Sequence, residues 1–494
     1  MSQPRLGIAA GNRLGGEAAV EVARAGGNAV DACLAAAVAA WVAEPFFASM
    51  GGSGFVAVGA PDGSVEVFDG NNVVPLRVAD SHGVTRVFLD YSNGMYTGIG
   101  GGSVAVPGIL AAVRLAWERH GSIEWRALFP RAIRAAREGI PLPHTSAYYL
   151  AITWPPIWSR YEAARAVFGP ESPRQEGELL VQPELAEALQ AVADDGPSVF
   201  YEESLARELV DAVAADGGAM SLEDLSSYAS EARVPVSTRA FGWRVESNPP
   251  PAMGGALLTH MLALLDGAKL NDPVARARAL VEAERAAVGY RNERYREPGD
   301  VAGSAQRSAG GRRAGSGSPS TTHASAADTD GLVCGVTESN GYGAGLLVHG
   351  IMLNNTLGEE ELNPLGPAGA PPGARCHSNM APTVARGSSV TVALGSPGAD
   401  RIVGAIAQTI VALAVDGLPL RDAVSAPRVH LAMRPEGDLL CYEPGVPAAD
   451  LGYPPRPYDD LHMFFGAVQA ASVRDDGTVD AAHDPRRSGA SALV

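Results

Sequence analysis

Two periods of apolar residues run along this chain. Leu6–Ala10 is a short apolar run that reads as a strand. Residues 17–25 carry a helical pattern that stops at Gly26-Gly27, and Asn28 or Asp31 caps the apolar stretch that follows. That stretch, 29–43, is interrupted by Asp31 and ended by Glu44-Pro45. It is too short and alanine-rich for a membrane span, and predicts a buried core helix. Residues 55–58 and 65–68 flank Pro61-Asp62-Gly63 and predict a hairpin. Helical spacing predicts helices over 108–120, 125–138, 183–193, 205–215, 222–228, 254–265 and 274–294, with strands at 234–238 and 243–247. From about 295 to 320 the apolar period disappears, and the segment reads as a flexible loop. Strands then dominate: a hairpin about Asp330-Gly331, runs at 346–348, 351–353 and 390–394, and a helix over 401–415.

Composition narrows the classes. A chain of 494 residues can bury a substantial core, as one large domain or two to three ordinary ones. A net charge of −17 argues against a nucleic-acid partner. Cys33, Cys334, Cys376 and Cys441 are scattered without a C-x-x-C pair, which points to reduced thiols in a cytoplasmic protein, and away from a disulfide frame or a zinc site. The N-terminus leads straight into a strand with no long apolar segment, so no signal peptide is expected. His349, His377, His430 and His462 lack metal-ligand spacing, and neither metal nor cofactor is expected.

The chemistry concentrates at Ser320-Thr321-Thr322-His323, where the irregular segment enters a strand. Thr321 admits two readings. It is an ordinary Ser/Thr-rich loop end, or it is a nucleophile uncovered by self-cleavage. In the second reading its hydroxyl attacks the Ser320 carbonyl, the acyl group moves from nitrogen to oxygen, and Thr321 becomes a chain start. Its free α-amine, with an ordinary pKa near 8, then serves as general base. His323 reads as structural. The glycines of 51–54 lead into a strand and lack a following Gly-Lys-Ser/Thr, so a tight turn beside a site fits better than a phosphate loop. Gly395-Ser396-Pro397-Gly398-Ala399-Asp400 joins a strand to a helix. It is either a plain connection or a turn whose free N–H groups hold an oxyanion or carboxylate.

Motifs over nearly the whole chain, in order, resemble those of the γ-glutamyltransferases (γ-glutamyltranspeptidases). They are Gly26-Gly27-Asn28-Ala29-Val30-Asp31-Ala32, Glu44-Pro45, Gly51-Gly52-x-Gly54-Phe55, Pro249-Pro250-Pro251 with Gly254-Gly255, Thr321-Thr322-His323 with Asp328 and Gly331, Leu353-Asn354-Asn355, Met380-Ala381-Pro382-Thr383, Gly395-Ser396-Pro397-Gly398 and Asp484-Pro485-Arg486. The resemblance implies an α+β, N-terminal-nucleophile fold: an αββα four-layer sandwich. It also implies a precursor cut into a large subunit, 1–320, and a small catalytic subunit, 321–494, which stay associated. Thr321 would be the nucleophile, Gly398 and Ala399 the oxyanion amides, and Ser339 the partner of the nucleophile's amine. Asn340 would contact a substrate carboxylate or amine.

Other positions depart from the family. Glu359 is the best match to the residue that holds the substrate amine, one methylene longer. Ser378-Asn379 replaces a serine pair for the carboxylate, with His377 and Arg375 nearby. Arg86 best matches the carboxylate-gripping arginine, with Arg77 the other choice. Retained chemistry through an acyl-enzyme, with altered specificity, is therefore expected on a small amino-acid-derived substrate of the γ-glutamyl-amide type, with no membrane or nucleic-acid partner. One family branch, from antibiotic pathways that make 4-alkyl-L-proline units, implies an alternative: C–C hydrolysis that removes an oxalyl-type fragment. A second alternative is a relative without catalysis that acts in binding.

Overall fold

The computed structural model of the chain describes residues 4–91, 94–294, 320–434, 437–448 and 451–494. The expected flexible loop at 295–319 lies outside the described residues.

Thirteen strands form two stacked antiparallel sheets. In chain order they are β1 (Leu6–Ala10), β2 (Ser53–Gly59), β3 (Val65–Gly70), β4 (Glu231–Arg233), β5 (Val236–Ala240), β6 (Trp243–Ser247), β7 (Thr321–Asp328), β8 (Val333–Ser339), β9 (Thr383–Arg386), β10 (Val390–Gly395), β11 (Gln469–Arg474), β12 (Val479–His483) and β13 (Ala490–Leu493). The first sheet has the order β13-β1-β7-β8-β2-β3-β4, and the second β12-β11-β10-β9-β6-β5. Phe55, Val67, Ala327 and Val333 of the first sheet pack against Val384, Ala393, Ala471 and Val473 of the second.

Helices cover both outer faces. On the first sheet lie α1 (Arg13–Arg24), α2 (Ala29–Ala43) and α3 (Ile109–His120), packed on Ile8, Val56, Ala326 and Val336. On the second lie α4 (Gly254–Asp266), α5 (Pro273–Arg294) and α6 (Arg401–Ala414), packed on Val245, Ala385, Val392 and Leu394. This is the αββα sandwich. Both sheets take strands from before and after residue 320, so the two halves of the chain interleave.

Local chemistry explains the elements. Every residue of α2 is buried, as suits a helix apolar on all sides. Its start is set by both proposed caps, since the Asn28 side chain accepts from the Asp31 N–H and Asp31 accepts from that of Asn28. No helix among the described residues is long and apolar enough to cross a membrane. α1 begins at Arg13, four residues before the sequence pattern does, because Asn12 caps it through the Gly15 N–H at 2.7 Å. The helix pattern at 125–138 is split: a 3-10 turn ends at Leu128, and a new helix starts at Pro130, which cannot donate within a continuous helix. Strands β11 to β13 escaped the sequence reading. They are short, rich in alanine and serine, and carry a weak period-2 signal.

Candidate active site

Side chains of β7 alternate between the layers. Thr322 faces the helices, donating from Oγ1 to Glu44 Oε2 at 2.7 Å. Asn12 Nδ2 donates to the same oxygen at 2.8 Å, which ties the Glu44-Pro45 corner to the strand. His323 faces the second sheet, with Nδ1 2.7 Å from Thr337 Oγ1 and Nε2 2.8 Å from Ser325 Oγ. Burial pushes its pKa down to about 3, so it is a neutral ring that joins strands and no proton acceptor for the reaction.

Thr321 lines a cavity that, with the open solvent at its mouth included, spans about 410 Å³. Opposite it in the ladder stands Ser339, whose Oγ donates to the Ser320 carbonyl at 2.8 Å. A hydroxyl is thus already set on the oxygen of the peptide bond that self-cleavage would break. Ser339 Oγ in turn accepts from the Gly341 N–H at 3.1 Å.

The turn between β10 and α6 lines the same cavity as the junction. Ala399 lines the cavity and has φ 52°, and Gly398 before it has φ 132°. An L-residue in the left-handed region costs about 1 kcal/mol, so the turn holds Ala399 there against its preference. Among the described residues neither Gly398 nor Ala399 donates its N–H to an acceptor, and the start of α6 supplies a favourable dipole. The next residue fixes the turn. Asp400 pairs with Arg401 and lies 3.7 Å from Nε2 of buried His430. Burial opposes a charge on His430, but Glu284 and Asp400 more than offset it and lift its pKa to about 9.

Ser320, Glu359, Ser378 and Asn379 also line the cavity. Arg86 does not. It sits on an exposed hairpin, stacks 3.6 Å over Tyr96, and gives its guanidinium to Glu360. Arg77 is paired with Asp80 at the surface. Asn340 is fully buried and turned away, donating to the Pro45 carbonyl at 3.0 Å. Residues that sequence reasoning did not single out as site residues take further parts of the wall: Ser53, Asn71, Thr356, Leu362 and Ile402. Glu361, the last of three consecutive glutamates that read either as a solvated acidic turn or as a substrate contact, lines the cavity as well.

The glycines permit close approach. A Cβ on Gly52 would lie 2.3 Å from Asn340 Oδ1, and one on Gly254 would lie 2.3 Å from the carbonyl oxygens of Asn379 and Met380. The Gly254-Gly255 helix start therefore presses directly on the Ser378–Met380 wall.

The cavity is acidic. Burial, then the neighbouring Glu361, raises the Glu359 pKa well above the usual carboxylate range. Burial also lifts Glu361 to about 6, although Tyr342 donates to its Oε1 at 2.6 Å. A folded-state pKa above the ordinary 4.5 means that the folded chain holds this proton more tightly. The stability it contributes is complete below about 4.5 and is lost as pH rises through about 6. Glu361→Gln is therefore expected to raise stability by roughly 2 kcal/mol at pH 8 and to change little at pH 4, read from urea unfolding at both values. Equal effects at the two pH values would refute it.

Comparison with known proteins decides the family. The family model described as gamma-glutamyltranspeptidase matches residues 15–310 and 299–494. The chain belongs to the γ-glutamyltranspeptidase family. It is 27% identical to the glutathione hydrolase proenzyme of Escherichia coli K12, over 94% of this chain and 88% of that protein. It is 30% identical to the acylase ACY 1 proenzyme of Pseudomonas sp. SE83, over 88% and 83%. The cephalosporin acylase structure from Bacillus halodurans superposes with a TM-score of 0.82 over 100% of this chain and 96% of that one, at 23% identity, and so shares its N-terminal-nucleophile fold. The chain is accordingly an enzyme of the hydrolase or acyltransferase type.

Proposed function

We infer that this γ-glutamyltranspeptidase-family enzyme is made by self-cleavage between Ser320 and Thr321, and then works through an acyl-enzyme on Thr321. The Thr321 hydroxyl attacks the Ser320 carbonyl, the C–N bond breaks, and the departing nitrogen takes up the hydroxyl proton to become the free α-amine. Water then hydrolyses the Ser320 ester. In turnover the same hydroxyl attacks a substrate carbonyl, the amine takes its proton and passes it to the leaving group, and Gly398 and Ala399 hold the oxyanion. The subunits would be 1–320 and 321–494, kept together by the shared sheets.

One observation carries this reading: the Ser320–Thr321 junction forms the cavity wall, with Ser339 on its carbonyl at 2.8 Å and Ala399 in the same wall. Relatives named glutathione hydrolase and acylase support amide substrates. The specificity we propose is altered. Among the described residues the cavity is lined by Glu359 and Glu361 and by no arginine or lysine. It suits a small acyl donor that carries an amine toward the carboxylates, without a carboxylate that needs a cationic clamp.

The test is mass spectrometry of the purified protein exposed to mixed amine-bearing amides and γ-glutamyl amides. The expected result is a small subunit that begins at Thr321 and gains the mass of an amine-bearing acyl group. A γ-glutamyl adduct would overturn the specificity. An oxalyl adduct would replace amide cleavage with C–C hydrolysis. A full-length chain without adduct would leave a binding protein.

A further inference from the structure

Two side chains, from opposite sides, grip the peptide carbonyls that flank the junction. Ser339 holds that of Ser320. The other comes from a distant segment: Arg487 Nη1 donates to the Thr321 carbonyl at 2.7 Å.

The sheet leaves this second carbonyl without a ladder partner. The Gly11 N–H donates to the His323 carbonyl, so odd-numbered residues of β7 direct their main-chain groups toward β1. However, β1 ends at Ala10, opposite Ala324. Thr321 therefore lies past the end of the neighbouring strand, and Arg487 stands where the missing strand would have donated. The N–H that becomes the α-amine points to this same unpaired side.

Arg487 is built to hold that place. Its guanidinium is buried and lies 4.8 Å from the centre of the Phe47 ring. The residues before it are fixed by buried ion pairs: Arg486 with Asp484 at 3.0 Å, and Arg428 with Asp484 at 2.7 Å. Next to them in the chain, Arg487 reaches the main chain of Thr321.

We propose that Arg487 is a positioning residue that anchors Thr321 by its carbonyl, first to align the junction for self-cleavage and then to keep the new chain end from fraying. This rests on Thr321 being the nucleophile released by the cut. A terminal residue without ladder bonds on either side moves freely, and a hydroxyl displaced by about 1 Å from its target loses rate steeply.

The test follows self-cleavage of full-length wild type, Arg487→Gln and Arg487→Lys, synthesised without cells and sampled over time on denaturing gels. Thermal midpoints are measured on each Arg487 variant in the uncut Thr321→Ala background. The expected result is cleavage slowed at least about tenfold in Arg487→Gln, the loss of one charge-assisted hydrogen bond. Arg487→Lys, which keeps a cationic donor, should recover a third or more of the rate, with midpoints unchanged. If wild type is cut and Arg487→Gln is cut within twofold of its rate, Arg487 does not position Thr321. If Arg487→Lys fails to recover the rate, or both variants lower the midpoint along with the rate, the role is structural only. If wild type itself stays whole, the proposed function fails, and this inference with it.

Discussion

Thr321→Ala is expected to leave one unbroken polypeptide and to lower turnover by about 10⁴-fold or more. The residue would supply both the hydroxyl that attacks and the amine that accepts its proton, so no neighbour can substitute. His323 cannot replace the amine as base, because burial holds its pKa near 3 and both ring nitrogens are engaged within the sheets. Stability should change little, within about 1 kcal/mol, since Thr321 lines the cavity and the change removes few atoms. Thr321→Ser keeps a hydroxyl and should still cut. Denaturing gels and amino-terminal sequencing read both variants. Two fragments of wild-type size from Thr321→Ala would mean that another residue performs the cleavage.

Glu359→Gln is expected to reduce kcat/KM about 100-fold for an amine-bearing acyl donor, because a charge-assisted contact in a poorly solvated wall is lost. Direction with pH follows from burial. The Glu359 carboxyl is pushed up by burial and by Glu361, whose own pKa is about 6. Protonation of the pair removes the negative charge that attracts the ammonium group. Wild-type kcat/KM should therefore fall as pH drops and the pair takes up protons above the ordinary carboxylate range, and Glu359→Gln should flatten that limb. Steady-state rates between pH 5 and 9 with one neutral-carboxamide donor decide it. An unchanged rate in Glu359→Gln would place the amine elsewhere, or show that the donor has none.

Much of the architecture was legible because it depends on neighbours in sequence. Caps such as Asn28 with Asp31 act over three residues, and turns such as Asp330-Gly331 over four. The same holds for the strand that begins at Thr321 and for the turn of Gly398 and Ala399, where backbone geometry announces itself through glycine and short polar residues. The all-apolar α2 could only be a core helix.

The residues of the cavity wall were legible only in part: Glu359, Ser378 and Asn379 do line the cavity, but the rest depends on contacts between distant segments. Arg86 has the right charge for a carboxylate clamp, yet it finds Glu360, 274 positions away, at the surface. Asn340 stands just past a strand end, and its buried contact with Pro45 turns it from the cavity.

By itself, the sequence determined individual elements, such as the strand that begins at Thr321 and the turn of Gly398 and Ala399, since each is written in local backbone preference, while the layered fold was implied by the resemblance of its motifs to a family. Only the tertiary structure decided which charges reach the cavity. A charged side chain goes to whichever opposite charge or free carbonyl the fold brings near, and no local pattern records that partner. Thr321 and Arg487 meet across 166 positions for this reason.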